Sequence, residues 1–526
     1  MSLMQSSSIN RTQTILIILL IAIAGLLIRL VFYPYNIPIS ADAIDYFSYS
    51  IALARGDIFP DGYLINKFGW SIFLSPFFAI SNATEMIDFM NIQRIVSMIV
   101  SIATIIPLYY FIKNFFKKEV AIIAASLFIF SPKIIENSLL GISDPLFIFL
   151  ICFSIMFVFI RDSKYYYLSY IFASFAFVVR QEGILILIPL ILFFFIKKDF
   201  SVKTITKIGI GIISFSLIVL LSNFLLVSDM DNISIFDTLI HATEFSEQDI
   251  VIENKDGTNE IGTISGDKTE FLKNSILKYS MYSGWILLPN LVFFVILSIV
   301  IIKKKISVNR IIIFIFLAVL SLTSLFAFGK GIEDVRYLFV LIPIYVFFSG
   351  YGIDYLYRKF RKKVFLLIIF IIISSCFFVD STIKDITDEK KFYEDAKILI
   401  QFADGVNAYE DGGKYIKAAE LHNKWPNLLP YGENRKIVKC PDCTGASSTV
   451  GYTDLKQFIF DNHDNGLTHI IVYERNTGDL VDEIFNNESK FPYLEKIYDS
   501  ESSPDSIRVK IFHINYDEFK KFTIMN

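Results

Sequence analysis

Charge is scarce in this chain. Asp, Glu, Lys and Arg together make up 19% of its 526 residues, with five His and four Cys. No nucleic-acid partner is expected. The sequence also lacks a Gly-rich phosphate loop, a Ser/His/Asp set at a recognised spacing and a cytoplasmic nucleotide-binding domain, which argues against ATP-driven transport within this chain. Cys440 and Cys443 form the one close cysteine pair, while Cys152 and Cys376 fall inside apolar blocks. A zinc site needs two further Cys or His ligands, and His422 and His463 do not stand at a telling spacing. A local disulfide is the better reading of the pair if it lies on an outer face. No internal repeat is found.

What the chain does have is apolar: 54% hydrophobic residues, including 53 Phe and 27 Tyr, arranged in long blocks. This composition specifies a polytopic α-helical membrane protein. The stretch from Thr14 to Phe32 is long enough to cross about 30 Å of hydrocarbon. It is too long for a cleavable signal, lacks a small-residue cleavage site and is followed by equivalent segments. Reading onward gives about eleven spans, centred near Ala22, Ser101, Ala125, Ile151, Ser174, Leu190, Phe215, Val295, Phe316, Tyr345 and Phe370. The block from Phe68 to Ile80 is short and is read as interfacial. Basic connections follow every second span, among them Lys113 to Lys118, Lys197 to Lys207 and Arg358 to Lys363. These are assigned to the cytoplasm and the acidic loops to the outside, so chemistry is expected on the extracytoplasmic face of the cell membrane.

From about Asp380 the composition becomes that of a soluble mixed α/β domain, with helices read over Glu394–Phe402 and Leu480–Phe485 and strands over Thr468–Tyr473 and Ile507–Ile514. The expected organisation is a membrane domain over 1–380, with an outer loop at 34–68 carrying juxtamembrane helices, and an extracytoplasmic α/β domain over 381–526.

Candidate functional residues gather at the predicted outer face. Asp42 and Asp45 follow directly on the first span, where lipid-borne phosphates, sugars and water meet. The stretch from Asp42 to Asp57 reads as an amphipathic juxtamembrane helix ended by Gly56, on which Asp42, Asp45 and Tyr49 can share a face. The ordinary reading of Asp42 is a helix cap, which is compatible with catalysis. Lys67, beside Phe68 and Trp70, is either a snorkelling interfacial lysine or a phosphate ligand. Asp144 precedes Pro145 at the mouth of the fourth span, where capping competes with function. Arg180 and Glu182 interrupt two apolar blocks and form either a structural pair or part of a site. Arg336 offers a planar fork suited to phosphate, or an ion pair with Asp334.

These pieces, in this order over Ile15 to Tyr357, resemble the membrane glycosyltransferases of the GT-C fold, in particular the protein O-mannosyltransferase and aminoarabinose lipid A transferase group. In that group the first outer loop carries an acidic residue, a Tyr four positions on, a Gly-Asp and a Lys, matched here by Asp42, Tyr46, Gly56-Asp57 and Lys67. An arginine opening the second span matches Arg94, and an acidic residue before Pro matches Asp144. The group's Arg-x-x-Gly turn resembles Arg180 to Gly183, and its Arg-Tyr-Leu segment with a following Pro resembles Arg336-Tyr337-Leu338 and Pro343. Ala43 stands where a second acidic residue is frequent, and Phe68 where Pro is frequent. The chain has no Trp-Trp-Asp-type segment, which argues against the related oligosaccharyltransferase catalytic subunits.

The resemblance implies transfer of a sugar from a polyprenyl-phosphate donor to a protein, glycan or lipid hydroxyl, with inversion. It makes Asp42 and Asp144 catalytic, with Asp42 the general base, and Asp45, Tyr46, Lys67, Arg94, Arg180, Glu182, Arg336 and Tyr337 substrate-binding. No cofactor is specified; a divalent cation is left open, without a ligand set. The alternative is a lipid or sugar transporter or flippase. Transporters tend to carry repeats and midplane charges, whereas the charges here gather at one face.

Overall fold

The computed structural model describes residues 10–379 apart from 35–38, 40–41, 55–67, 84–85, 161–164, 198–200, 227–248, 254–258, 264–267, 303–307, 361–368 and 371; beyond them it describes 418–420, 454–463, 467–473, 480–499 and 509–525. The chain divides into two compact units. One comprises Met1–Tyr33, Ile95–Leu225 and Met230–Ile383; the other comprises Pro34–Arg94, Leu226–Asp229 and Lys384–Asn526.

The first helix, α1 (Arg11–Val31), starts where Asn10 and Gln13 form a capping box. The Gln13 amide donates to the Asn10 side chain at 2.8 Å and the Asn10 amide to the Gln13 side chain at 2.9 Å, satisfying two of the donors a helix start leaves unpaired. Leu16, Leu19, Leu20, Ile23 and Leu27 of α1 are exposed, an arrangement that suits lipid and not water. Near its other end Arg29 is fully buried. Its guanidinium donates to Ser138 Oγ at 2.9 Å, to the carbonyls of Gly25 and Ile129 at 3.0 and 3.2 Å, and to Ser101 Oγ at 3.2 Å. Gly25 lets the chain through at this point, because a Cβ there would lie 2.3 Å from the Ile129 side chain.

Then come α2 (Asp42–Ala54), α3 (Gly69–Ala79), α4 (Met86–Ala103), α5 (Ile105–Lys113), α6 (Lys118–Ile129), α7 (Pro132–Leu139), α8 (Asp144–Phe159) and α9 (Tyr166–Val179). A 3₁₀ helix at Gln181–Ile186 leads into α10 (Leu187–Lys197), followed by α11 (Val202–Leu226), a hairpin of β1 (Asp249–Glu253) with β2 (Asn259–Thr263), and α12 (Lys268–Leu287), α13 (Val292–Ile302) and α14 (Val308–Gly329). A second 3₁₀ helix, Val335–Leu341, runs into α15 (Ile342–Phe360).

Among the described residues five helical stretches are long and apolar enough to cross a bilayer: Arg11–Val31, Ile87–Lys113, Thr204–Ser222, Val308–Gly329 and Val335–Phe360. Phe271–Leu287 with Val292–Ile302 adds a sixth if that pair, bent by 111°, is one span. Each expected span centre from Ala22 to Tyr345 falls in a helix. With 11 residues, α3 is about 16 Å long and too short to cross. The sequence reading missed α12, because Lys273, Lys278 and its tyrosines dilute the hydropathy. Its exposed apolar residues Leu272, Ile276, Leu277, Met281 and Trp285 recur at helical spacing.

In the C-terminal part, β3 (Ala418–Glu420), α16 (Leu455–His463), β4 (His469–Tyr473), α17 (Leu480–Asn486), β5 (Leu494–Asp499), β6 (Val509–Ile514) and α18 (Tyr516–Met525) are described. The strands form one sheet in the order β3-β4-β6-β5, with only the β3–β4 pair parallel. Phe458, Ile470, Val472, Ile484, Tyr493, Phe512 and Phe519 make its core. The strands read over Thr468–Tyr473 and Ile507–Ile514 and the helix over Leu480–Phe485 are found within two residues of those bounds; Glu394–Phe402 and the Cys440–Cys443 pair lie outside the described residues.

Candidate active site

The first unit brings Asp144, Arg180, Glu182, Arg336 and Tyr337 together. Asp144 is the first residue of α8, and Pro145 follows in its first turn, where a missing N–H costs nothing. The carboxylate does not cap the helix. Its Oδ1 accepts from Arg180 Nη1 at 2.9 Å, while Oδ2 is buried and has no hydrogen-bond partner among the described residues. With 4% of its surface exposed, Asp144 is a carboxylate held largely out of solvent.

Arg180 arrives from the far end of α9. Its backbone turns extended (φ −148°, ψ 129°), which ends the helix, and its carbonyl accepts from the Gly183 amide at 2.9 Å. Only glycine fits at 183, since a Cβ there would lie 2.5 Å from Phe177 N and 2.7 Å from Ala176 C. That close approach is the physical content of the Arg-x-x-Gly spacing. The guanidinium donates through Nη2 to Glu182 Oε1 at 3.0 Å. It also lies 5.8 Å from the ring centres of both Phe147 and Tyr337, within cation–π range.

Arg336 is the second residue of the second 3₁₀ helix. Asp334 caps that helix by accepting from the Arg336 amide at 2.8 Å, and its other oxygen accepts from Arg336 Nε at 2.7 Å. The ion-pair reading of Arg336 is therefore realised; the pair is partly exposed, with 28% of each side chain accessible. Asp144 feels the charges of Arg180, Arg336, Asp334 and Glu182 together. The neighbouring Glu333 lies in the loop after α14. Hydrogen bonding from Lys278, opposed by partial burial and aided by the Tyr282 hydroxyl, holds its carboxyl below the usual range.

The remaining expected site residues belong to the second unit. Asp42 begins α2 as its first residue, Asp45 follows one turn on, and both side chains lie outside the description, as does Lys67 entirely. Tyr46 is buried, and its carbonyl accepts from Ser50 Oγ at 2.6 Å and Ser71 Oγ at 2.9 Å, tying α2 to α3. Gln93 binds the Ala43 carbonyl at 2.9 Å. Arg94 does not open its span as expected: it lies two turns inside α4, buried, with Nη1 3.5 Å from the Pro34 carbonyl. The helix starts earlier because Asp88 in its first turn suits a helix N-terminus. Among the described residues no group of three or more His, Cys, Asp or Glu is arranged to hold a metal ion.

A model of the dolichyl-phosphate-mannose-protein mannosyltransferase family matches residues 75–225, a segment that includes Arg94, Asp144, Arg180 and Glu182. No curated protein matches the chain by sequence. Among solved structures, ArnT from Cupriavidus metallidurans bound to undecaprenyl phosphate is similar with a TM-score of 0.57 and 9% identity, covering 94% of this chain and 97% of that one. The archaeal oligosaccharyltransferase AglB from Archaeoglobus fulgidus, in complex with an inhibitory peptide and a dolichol-phosphate, is similar with a TM-score of 0.53 and 11% identity, covering 86% and 69%. Its apo form gives a TM-score of 0.53 at 10% identity, covering 88% and 70%. Likeness across so little identity speaks for a shared scaffold: the chain has the fold of the GT-C membrane glycosyltransferases.

Proposed function

We propose that this protein transfers a sugar from a polyprenyl-phosphate donor to an acceptor hydroxyl on the extracytoplasmic face of the cell membrane, with inversion at the anomeric carbon. The observation that carries the reading is Asp144, a buried carboxylate with one oxygen on Arg180 and the other unpaired among the described residues. The undecaprenyl phosphate and dolichol-phosphate bound to the two solved relatives support a lipid-phosphate donor. The family match over 75–225 supports a sugar carried on such a lipid.

In the proposed reaction the acceptor oxygen attacks the anomeric carbon from the face opposite the phosphate. The bond from that carbon to the phosphate oxygen breaks, and the polyprenyl phosphate leaves with the electron pair. Asp42 takes the acceptor proton as general base, while Asp144 orients the hydroxyl or shares the base role. Lys67 and Arg336 balance the charge that grows on the departing phosphate, for which Arg336 must exchange Asp334 for substrate. Arg180, Glu182 and Tyr337 frame Asp144, and Asp45, Tyr46 and Arg94 support the first outer loop.

Purified protein in lipid nanodiscs, incubated with a panel of polyprenyl-phosphate sugars and hydroxyl acceptors, is expected to transfer one sugar or to hydrolyse one donor slowly. Binding of a donor without any turnover across the panel would overturn the enzyme reading in favour of a transporter.

A further inference from the structure

Resting on that reading of Asp144, we infer that Glu182 is a positioning residue, which keeps the Arg180 fork divided and so reserves Asp144 Oδ2 for the acceptor hydroxyl. An arginine beside one carboxylate commonly grips both of its oxygens through two parallel N–H bonds. Here the fork is split. Nη1 goes to Asp144 at 2.9 Å and Nη2 to Glu182 at 3.0 Å, and the guanidinium is flanked by Phe147 and Tyr337. The split leaves Asp144 Oδ2 without a hydrogen-bond partner among the described residues, in a residue with only 4% exposure. An unpaired buried acceptor is costly, and a substrate O–H supplies the donor it lacks. Without an acceptor at position 182, Nη2 loses that partner and can turn onto Asp144 to complete the two-point grip, occupying the oxygen that substrate needs. The geometry thus gives Glu182 a part that needs no contact with sugar or phosphate.

What matters on this account is an oxygen at position 182, not a charge. With the full chain in nanodiscs and the same panel of polyprenyl-phosphate sugars, Glu182→Gln keeps a carbonyl for Arg180 and is expected to stay within about threefold of wild-type kcat. Glu182→Ala removes the acceptor and is expected to lower kcat by about 10- to 100-fold with donor KM unchanged. Lysine has no fork to close, so Glu182→Ala placed on Arg180→Lys is expected to add less than about twofold to the loss from Arg180→Lys alone. Two results overturn the inference: Glu182→Gln as impaired as Glu182→Ala, or a Glu182→Ala loss equally large in both Arg180 backgrounds. Should Glu182→Ala fail to fold, Glu182→Gln still decides, since impaired turnover in that variant is incompatible with a role carried by oxygen alone. Asp144→Asn separates the two levels. Wild-type turnover in that variant removes the reading beneath the inference, whereas a slow Asp144→Asn beside an equally slow Glu182→Gln removes the inference alone.

Discussion

Asp144 carries two kinds of constraint on one side chain. Its place before Pro145 fixes the start of α8, and its pairing with Arg180 fixes the rotamer, so the unpaired oxygen is held in place before any substrate arrives. Asp144→Asn keeps the size and one acceptor oxygen but removes the charge. Asp42→Asn does the same at the first residue of α2. If Asp42 is the base, its variant is expected to lose about 10²-fold or more in turnover with donor binding preserved. Asp144→Asn is expected to lose less and Asp45→Asn least; turnover measured alongside donor binding on the three variants checks the order. An Asp42→Asn protein that binds donor and transfers at the wild-type rate would falsify the base assignment and leave Asp144 as the next candidate. The Arg180–Glu182 pair was legible in the sequence, because two charges two residues apart at a break between apolar blocks have few other partners. The bond from Arg180 to Asp144 was not, because the partners are 36 residues apart and no local pattern reports such a pair. The ordinary capping reading of Asp144 also competed there, and it fails because the carboxylate turns to Arg180.

At the scale of elements, hydropathy carried the reading furthest where a helix is apolar all round, as in α8, α10 and α13, and least where polarity is divided between faces. In α12 the polar face holds Lys278 and Tyr282, and both reach Glu333, the residue before the Asp334–Arg336 pair. This clamp ties α12 to the loop that presents Arg336, and neither partner announces it in sequence, being more than fifty residues apart. It also has a pH signature. The folded-state pKa of Glu333 lies below its ordinary value, with the Lys278 hydrogen bond the largest cause. Its stabilising effect is therefore full above the unfolded carboxylate pKa of about 4.3 and is lost as pH falls through the lowered folded value. Thermal melts of wild type and Glu333→Gln should differ at pH 6 and converge at the acid end of that window. A difference that stays constant down to pH 3 would assign the effect to packing. Because the Glu333 side chain is 58% exposed, solvent screening keeps the expected difference small.

For the whole molecule, function turns on which side of the membrane each loop occupies. The helices fix where spans fall but carry no sign; the sign comes from the basic residues, since Lys and Arg in short loops are retained on the cytoplasmic side. Lys113, Lys117 and Lys118 flank the α5–α6 turn, Arg310 stands in the first turn of α14, and Arg358 and Lys359 end α15. Asp144, Arg180 and Arg336 sit at the opposite ends of helices that begin or finish near those basic groups: α8 against α9, α14 against the 3₁₀ helix before α15. One face of the first unit is thus basic at its rim, and the other holds the carboxylate and its arginines. If the N-terminus is cytoplasmic and the number of spans odd, as we propose, the residues after Asp380 lie outside. This predicts that a cysteine introduced at Ser502, with the four native cysteines replaced, reacts with a membrane-impermeant maleimide in intact cells, while one introduced at Asn114 reacts only after permeabilisation. Protection at Ser502 together with labelling at Asn114 would invert the topology, put Asp144 and Arg336 on the cytoplasmic side, and with them remove any extracytoplasmic lipid-phosphate chemistry from this site.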